Sequence, residues 1–499
     1  MTRKRLAASL FPLLLAAGAS AGCSGEPAAQ HAEEPFDISI ATYVRPDVVI
    51  PPKENEVERA IEAYTHTKLD IQWIPVFAYE EKVGFMIASN KMPKLLKMRM
   101  EPSTIAAIRS DLFWEIGPYL PSYKNLAAHA AYFDNIAVEG KIYGVPNFRD
   151  MARYAIIYRS DWLNALGLKL PASLEDWYRV MKAMRYGDPD GNGSKDTYGM
   201  VLGRDYNAMN TPNTPVLPLL AIGEGGYNEW GIVDGKFVPD FEAKPYFETM
   251  KLFRRLYAED LINKDFSVYD DSRDDFNRLG RSGFISGAAL SAKIYQEELA
   301  QKFPGAQVDI APIVGSAGRR VLAEPGNNGF YVIPKKSVPT EAELKQVLAF
   351  LDRLMDEPMS TLQLRGMEGK HYVKLPGGKA KTTDLISFQN EVKPYRDNLL
   401  NMEGYNVLPL EDTPLGEKAR KLVADNIRFA VPNPAYKLFS ATYMEMGSKL
   451  RTMITEAQTK YIMGQIDDAG WLAEVDRWHK AGGDNMIREY EEAYRKSVK

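Results

Sequence analysis

Asp37-Ile38-Ser39-Ile40-Ala41-Thr42, then Val57, Ala60, Ile61 and Tyr64, then Leu69-Asp70-Ile71-Gln72-Trp73-Ile74-Pro75-Val76 are the residues that decide the fold class. The first run alternates apolar and polar side chains as a half-buried strand does. The four middle positions repeat at helical spacing across residues 54–65, and the last run reads as a second strand. Strand, helix and strand within this short span form the unit of a parallel sheet covered by helices. The fold class expected is therefore α/β.

Outward from that unit the pattern continues. Residues 142–146 and 154–158 read as short strands, and residues 245–259 as a helix. Residues 173–185 read as a helix opened by Ser173, with Asp176 three residues later. No period of 20 to 50 residues recurs, which argues against a solenoid or propeller. Beyond about residue 339 helical patterns dominate, at 341–354, 415–428, 436–463, 470–479 and 485–496. Two α/β units with a helical C-terminal third are expected.

The chain has 499 residues, enough for two or three compact units. It carries 62 basic and 66 acidic residues, so no positive excess exists to hold a nucleic acid. Its single cysteine, Cys23, excludes internal disulfides, a CxxC redox pair and thiolate-rich zinc sites. The five histidines include no i, i+4 pair that would bind a metal from one helix face.

Arg3, Lys4 and Arg5 precede the uncharged run 6–22, the length of a signal-peptide apolar region and too short to span a bilayer securely. Residues 1–22 are read as an export signal. It ends Ser20-Ala21-Gly22-Cys23, which resembles the lipobox of bacterial lipoproteins, with Ser20 in the place of the usual bulky aliphatic residue. Cys23 would accept the lipid, and its acyl chains would hold the protein on the membrane without a transmembrane helix. An ordinary secretory signal followed by a free cysteine is the other reading. Gly18-Ala19-Ser20-Ala21-Gly22 matches G-x-S-x-G, but it lies in the exported signal and lacks the strand-turn-helix setting of a nucleophile elbow. Loss of residues 1–22 removes three basic residues and no acidic ones, taking the net charge from −4 to about −7. Residues 23–35, small, polar and acidic, read as a tether.

Three longer segments carry a family resemblance: Glu139-Gly140-Lys141-Ile142-Tyr143-Gly144-Val145-Pro146, then Tyr158-Arg159-Ser160-Asp161-Trp162-Leu163-Asn164-Ala165-Leu166-Gly167-Leu168, then Asp188-Pro189-Asp190-Gly191-Asn192-Gly193-Ser194-Lys195-Asp196-Thr197-Tyr198-Gly199. Supporting segments are Trp230 with Asp234-Gly235-Lys236, residues 256–262, and Ala481-Gly482-Gly483-Asp484. In order and spacing they resemble the extracellular solute-binding proteins of carbohydrate ABC transporters, family 1, in their lipoprotein branch. One departure is Lys94, which stands where that family has an acidic turn residue.

The resemblance implies a two-lobed, periplasmic-binding-protein-like (maltose-binding-like) fold that closes on its ligand about crossing segments. Lobe 1 would comprise residues 36–147 and 308–355, and lobe 2 residues 148–307 and 356–499. The crossings would lie at 143–147 and 308–314. The implied partners are an oligosaccharide ligand and the permease subunits of an ABC importer, with the protein itself a monomer and lacking catalytic residues.

Residues 188–199 also follow an EF-hand-like order, with Asp188, Asp190, Asn192, the Ser194 carbonyl and Asp196 at loop positions 1, 3, 5, 7 and 9 and Gly193 at position 6. Position 12 is Gly199 in place of the bidentate glutamate. This run reads either as a site for structural Ca2+ or as an Asp/Asn/Gly turn closed by its own hydrogen bonds.

A sugar site needs bidentate polar groups and aromatic plates. Trp162, Trp471 and Trp478 sit at helical core spacing and read as packing. Tyr227 and Trp230 occupy a loop, Gly225-Gly226-Tyr227-Asn228-Glu229-Trp230, where either stacking on ligand or packing is open. Tyr43 and Arg45 follow the first strand at its C-terminal end, where open α/β sheets place ligands. Asn147, Arg149, Asp150 and Arg153 follow the proposed crossing, and arginine forks suit paired hydroxyls or a uronate carboxylate, although each could equally serve an internal ion pair. Residues 324–329 are a further cleft-edge segment. Two other functions use similar residues: a surface glycan hydrolase or lyase, for which paired carboxylates would suffice, and a peptide- or signal-binding receptor. No P-loop, dinucleotide fingerprint or HExxH motif occurs.

Overall fold

Nine residues of Phe36–Val44 pair in parallel, without a break, with nine of Thr67–Pro75, from Phe36 opposite Thr67 to Val44 opposite Pro75. The helix between them, Glu56–Thr65, starts two residues later than its periodicity suggests. Asn55 caps it, accepting hydrogen bonds from the Val57 and Glu58 N–H groups, a contribution of about 1 kcal/mol. Val57 and Ile61 bury as expected, whereas Tyr64 lies at the edge and donates its hydroxyl to Asp356 at 3.0 Å. In this computed structural model the described residues are 34–497, except 46–47, 205, 208–214 and 271. The expected export signal 1–22 and the lipidation residue Cys23 lie outside them, as does most of the tether 23–35.

From Phe36 onward the chain forms one compact unit containing two main sheets. The first runs in the order Thr67–Pro75, Phe36–Val44, Leu95–Met98, Asn327–Val332, Gly144–Phe148. Its last two strands are antiparallel to their neighbours. The second runs in the order Val308–Ala311, Tyr154–Arg159, Ser282–Ala288, Tyr198–Met200. Each sheet has its own apolar core, the first around Ile38, Leu96 and Val332, the second around Trp162, Phe253 and Phe284. Trp162, Trp471 and Trp478 all lie in the second core, 1–3 % exposed, so their helical spacing did mark packing.

The chain passes from the first sheet to the second at 149–153 and back at 323–326. Two segments therefore fall elsewhere than the lobe division at 308 and 355 expects. Val308–Ala311 pairs antiparallel with Tyr154–Arg159 in the second sheet, which buries Val308 and Ile310. The helix Glu357–Arg365 and the following residues Phe388, Tyr395 and Leu400 complete the core of the first. Neither choice is written in local periodicity, because an apolar strand or helix face fits either core.

The C-terminal helices run Pro414–Asn426, Ala441–Ile462, Asp468–Trp478 and Asp484–Ser497. The helix expected from residue 436 begins only at Ala441. The Ser440 side chain caps the start by accepting from the Tyr443 N–H. Lys94, the unusual turn residue, donates to the Asp37 carbonyl at 2.8 Å and lies 3.9 Å from the centre of the Phe36 ring. Among the described residues no helix is long and apolar enough to cross a membrane.

Candidate ligand-binding site

Three strands of the first sheet end at the same edge, the antiparallel Asn327–Val332 lying between the last two, and the residues just at or past their C-terminal ends face one cavity. Tyr43 lies on Phe36–Val44, Arg99 directly follows Leu95–Met98, and Arg149 directly follows Gly144–Phe148. The cavity measures about 1430 Å3. Its opposite wall comes from the second core and the C-terminal helices, with Trp230, Tyr443, Arg451 and Tyr490.

Six of the seven expected ligand residues line this cavity: Tyr43, Arg45, Asn147, Arg149, Arg153 and Trp230. Tyr227 does not. Its ring packs over Gly231, where any side chain would collide with it, and it belongs to the second core. Trp230 is half-buried in an aromatic group, its ring 5.1 Å from that of Tyr490 at 74° and 6.4 Å from that of Trp478. A plate held on one side by other rings and open on the other suits the C–H face of a sugar.

Tyr43 donates its hydroxyl to the Asn328 side-chain oxygen at 2.9 Å. The Arg99 guanidinium lies 4.7 Å from the centre of the Tyr43 ring. Arg149 reaches the same Asn328 oxygen at 3.3 Å and Glu324 at 3.0 Å, and Arg153 makes a paired contact with Glu324. Burial pushes the Glu324 carboxyl up, but Arg153 and Arg149 outweigh it and hold it below the usual carboxylate range. Glu324, expected at the cleft edge, thus lies behind the arginines. The internal ion pair, one of the two readings open for Arg149 and Arg153, is realised for both.

Beneath Tyr43 lies Lys97, with no exposed surface, its Nζ 3.0 Å from the Asn398 side-chain oxygen. Burial brings its ammonium down to about 7, with Asp397 opposing the shift and Arg99 and Arg149 adding to it. Asp397 faces the cavity. Burial acts to raise it, yet Arg396 and Lys393, the latter at 2.5 Å, bring it down to about 2. On the other wall burial, with the neighbouring Glu229, pushes the Asp240 carboxyl well up.

Of the described lining residues ten are Lys or Arg and seven Asp or Glu, in a chain whose net charge is −4. The cavity is therefore a positive region of an acidic protein, and its fixed guanidinium groups favour a ligand that brings negative charge.

Several lining residues went unnoticed in the sequence. Arg99 could have been found by the rule that picked Tyr43, since it too follows a parallel strand. Glu229 sits in the loop already singled out and accepts from Asn433 at 2.9 Å. Arg451 carries no local signal, because a charged residue on a long helix reads as a solvated face.

The 188–196 loop forms the expected turn. Asp188 accepts from the Asn192 and Gly193 N–H groups at 3.1 and 3.0 Å. The Asn192 amide donates to Asp190 at 2.9 Å and to Asp196 at 3.3 Å, so the two carboxylates lie close enough to share one partner. Burial, together with the adjacent Asp188, raises the Asp190 carboxyl. Gly199, at loop position 12, has Met181 against it and leaves no room for a carboxylate. Among the described residues no three His, Cys, Asp or Glu side chains are gathered as for a metal ion. The donor set of three carboxylates, an amide oxygen and the Ser194 carbonyl is nonetheless all-oxygen, as a hard divalent cation requires.

Comparison with known proteins adds three kinds of result. No protein-family model matches the chain. Among curated proteins it is 33% identical over 508 aligned residues to lipoprotein LipO of Bacillus subtilis, covering 99% of each chain. It is 34% identical over 459 residues to the polygalacturonan/rhamnogalacturonan-binding protein YtcQ of the same organism, covering 90% of this chain and 89% of that one. Among solved structures it superposes on an extracellular solute-binding protein from Bifidobacterium longum subsp. infantis with a TM-score of 0.71 at 16% identity, covering 93% and 99% of the two chains. It superposes on the alginate-binding protein AlgQ2 without calcium ion with a TM-score of 0.68 at 18% identity, over 93% and 98%. The two-lobed α/β architecture is common to these folds.

Proposed function

Because the chain belongs to the extracellular solute-binding proteins of carbohydrate ABC transporters, we propose that it captures an acidic oligosaccharide in the cavity between its two sheets. It then hands the sugar, chemically unchanged, to the permease of an ABC importer. The observation that carries this reading is the cavity itself. Strand-end arginines and Tyr43 face it from the first sheet, Trp230 and its aromatic neighbours from the second, and basic groups outnumber acidic ones.

The volume of about 1430 Å3 exceeds the ~300–1,000 Å3 typical of sites for drug-sized ligands, which favours a chain of sugars over a single one. The guanidinium of Arg99, over Tyr43 and exposed to the cavity, is placed to meet a uronate carboxylate, and Asn147 and Asn328 to meet hydroxyls. YtcQ, a polygalacturonan/rhamnogalacturonan-binding protein, binds polymers that carry the matching negative charge.

In this reading lobe 1 is 36–148 with 327–411, and lobe 2 is 154–322 with 414–497. The support is sheet and core membership, and the hinge lies in the connecting segments. Cys23 carries the lipid that holds the protein, as a monomer, at the outer face of the membrane. The loop with Asp188, Asp190, Asn192, Ser194 and Asp196 would hold a structural Ca2+ ion, with Asn192 turning its oxygen inward. The ion would neutralise carboxylates that otherwise crowd one another and would take no part in ligand chemistry.

Calorimetry of the mature protein against galacturonate oligomers, neutral xylo- and fructo-oligosaccharides and peptides tests the reading, with product analysis of the same samples. Heat with the uronate oligomers and intact sugar afterwards is expected. Cleaved sugar would favour a glycan-degrading enzyme, and heat with peptides alone a signal receptor.

A further inference from the structure

The two segments that cross between the sheets, 149–153 and 323–326, are joined directly to each other. Their backbones exchange two hydrogen bonds, from the Arg149 N–H to the Gly326 carbonyl at 2.9 Å and from the Glu324 N–H to the Met151 carbonyl at 2.7 Å. One carboxylate then collects three side chains of the first crossing and its exit. Glu324 accepts from Arg149 Nη2 at 3.0 Å, from Arg153 through Nε and through Nη2 at 3.1 Å, and from the Tyr154 hydroxyl at 3.0 Å.

The Glu324 side chain is 2 % exposed, while those of Arg149 and Arg153 are 27 % and 22 % exposed. Both arginines line the cavity, whereas Glu324 does not. Two guanidinium groups thus share one carboxylate behind them, and one positive charge is left over toward the ligand. A buried charge that loses its partner is costly, so this arrangement resists being pulled apart. A hinge, however, must let its two strands turn together.

We infer that Glu324 is the positioning residue of the site: it locks the two crossings into one hinge element and aims Arg149 and Arg153 into the cavity. Lobe closure and ligand recognition thereby depend on the same carboxylate, which itself never touches the ligand. This inference rests on the reading of the cavity as the ligand site, and its test separates the two.

The test uses the mature protein carrying Cys23→Ser, with spin labels at K91C on lobe 1 and K236C on lobe 2, both exposed positions. Glu324→Gln keeps the shape and removes the charge, and Glu324→Asp keeps the charge on a shorter stem. For Glu324→Gln a broadened label-to-label distance distribution without ligand is expected, together with at least a tenfold loss of affinity for trigalacturonate by calorimetry. Glu324→Asp should recover most of both. If Glu324→Gln lowers only the melting temperature, leaving the distance distribution and the affinity as in the parent, the inference is overturned. Should Glu324→Gln not fold, Arg153→Gln, which removes the paired contact to Glu324, carries the test: a ligand-free distance distribution unchanged from the parent overturns the inference. If the parent protein binds no trigalacturonate, the acidic-sugar reading fails, and the ligand-free distance distribution alone decides for or against the hinge lock.

Discussion

Lys97 places its Nζ 4.5 Å from the centre of the Tyr43 ring, so a fully buried amine lies directly beneath a wall of the cavity. The same amine faces Asp397 from one side and feels Arg99 and Arg149 from the other. Strand geometry accounts for the juxtaposition. Lys97 and Tyr43 are on neighbouring parallel strands, paired through Ile40 opposite Leu95 and Ala41 opposite Leu96.

Lys97 gives a pH dependence whose sign is fixed. Its folded value of about 7 lies below the unfolded value of about 10.4, so between these the unfolded chain binds more protons than the folded one. Stability should therefore rise with pH from about 7 upward, by at most ~1.4 kcal/mol per unit, and the gain should be absent below about 7. Urea unfolding at pH 6, 7, 8 and 9 measures this, and Lys97→Met should flatten the slope. A slope that survives the substitution would assign it to another group.

Asp397 acts in the opposite direction. Held at about 2 by Arg396 and Lys393, it contributes stability that is present above about pH 4 and is lost as pH falls through 2. Its side chain is 32 % exposed, so solvent screening reduces the contribution to about 1 kcal/mol. Asp397→Asn should lower the melting temperature at pH 6 and by clearly less at pH 2.5, as followed by circular dichroism.

Arg99→Ala should separate recognition from folding. The side chain is exposed to the cavity beside Tyr43, so its removal should cost about 1.5–3 kcal/mol in binding a uronate oligomer, the range of a charge-assisted hydrogen bond. Any neutral sugar that binds should lose less than about 0.5 kcal/mol and thermal stability should hardly change. Equal losses for both ligand types would place the arginine outside carboxylate recognition.

The 188–196 loop predicts stabilisation by Ca2+. With calcium at a hundred times its dissociation constant the folded state should gain about 2.7 kcal/mol, seen as a rise in melting temperature that a chelator reverses. Asp190→Asn together with Asp196→Asn should abolish the response to calcium while sparing oligosaccharide affinity. A melting temperature indifferent to calcium in the parent protein would leave the loop as a turn closed by its own amides.

Cys23→Ser should release the protein from the membrane fraction into the soluble extracytoplasmic fraction, because no described helix is long and apolar enough to replace the lipid. Immunoblots of the separated fractions read the outcome, and retention on the membrane would require a different anchor.

Much of the architecture was legible because its causes are local. The alternation at Ile38 and Ile40 forces one strand face inward. The Ser173 cap opens Leu174–Tyr186, and the Val57/Ile61 spacing gives a helix face that must be buried. Short-range pattern also marked six cavity residues: Tyr43 and Arg45 through the rule that ligands gather beyond the ends of parallel strands, Asn147, Arg149 and Arg153 by their place after the expected crossing, and Trp230 by its loop. Tyr227 went the other way because a loop sequence does not reveal which ring will lie over Gly231. The start of the helix at Ala441 was missed because its apolar period continues backward past the Ser440 cap, which fixes the first turn.

Periodicity and turn chemistry thus determined that this chain builds α/β units, that Phe36–Val44, Thr67–Pro75, Gly144–Phe148 and Tyr154–Arg159 become strands, and where the polar residues at the ends of the first and third of these fall. Only the tertiary structure decided that Val308–Ala311 joins the second sheet, that Tyr395 and Leu400 complete the first core, and that Glu324 stands behind Arg149 and Arg153. The physical reason is separation along the chain. Residues 171 and 175 apart become hydrogen-bonded partners only after both sheets have formed, and no local preference distinguishes an arginine held by a buried carboxylate from one left to face water.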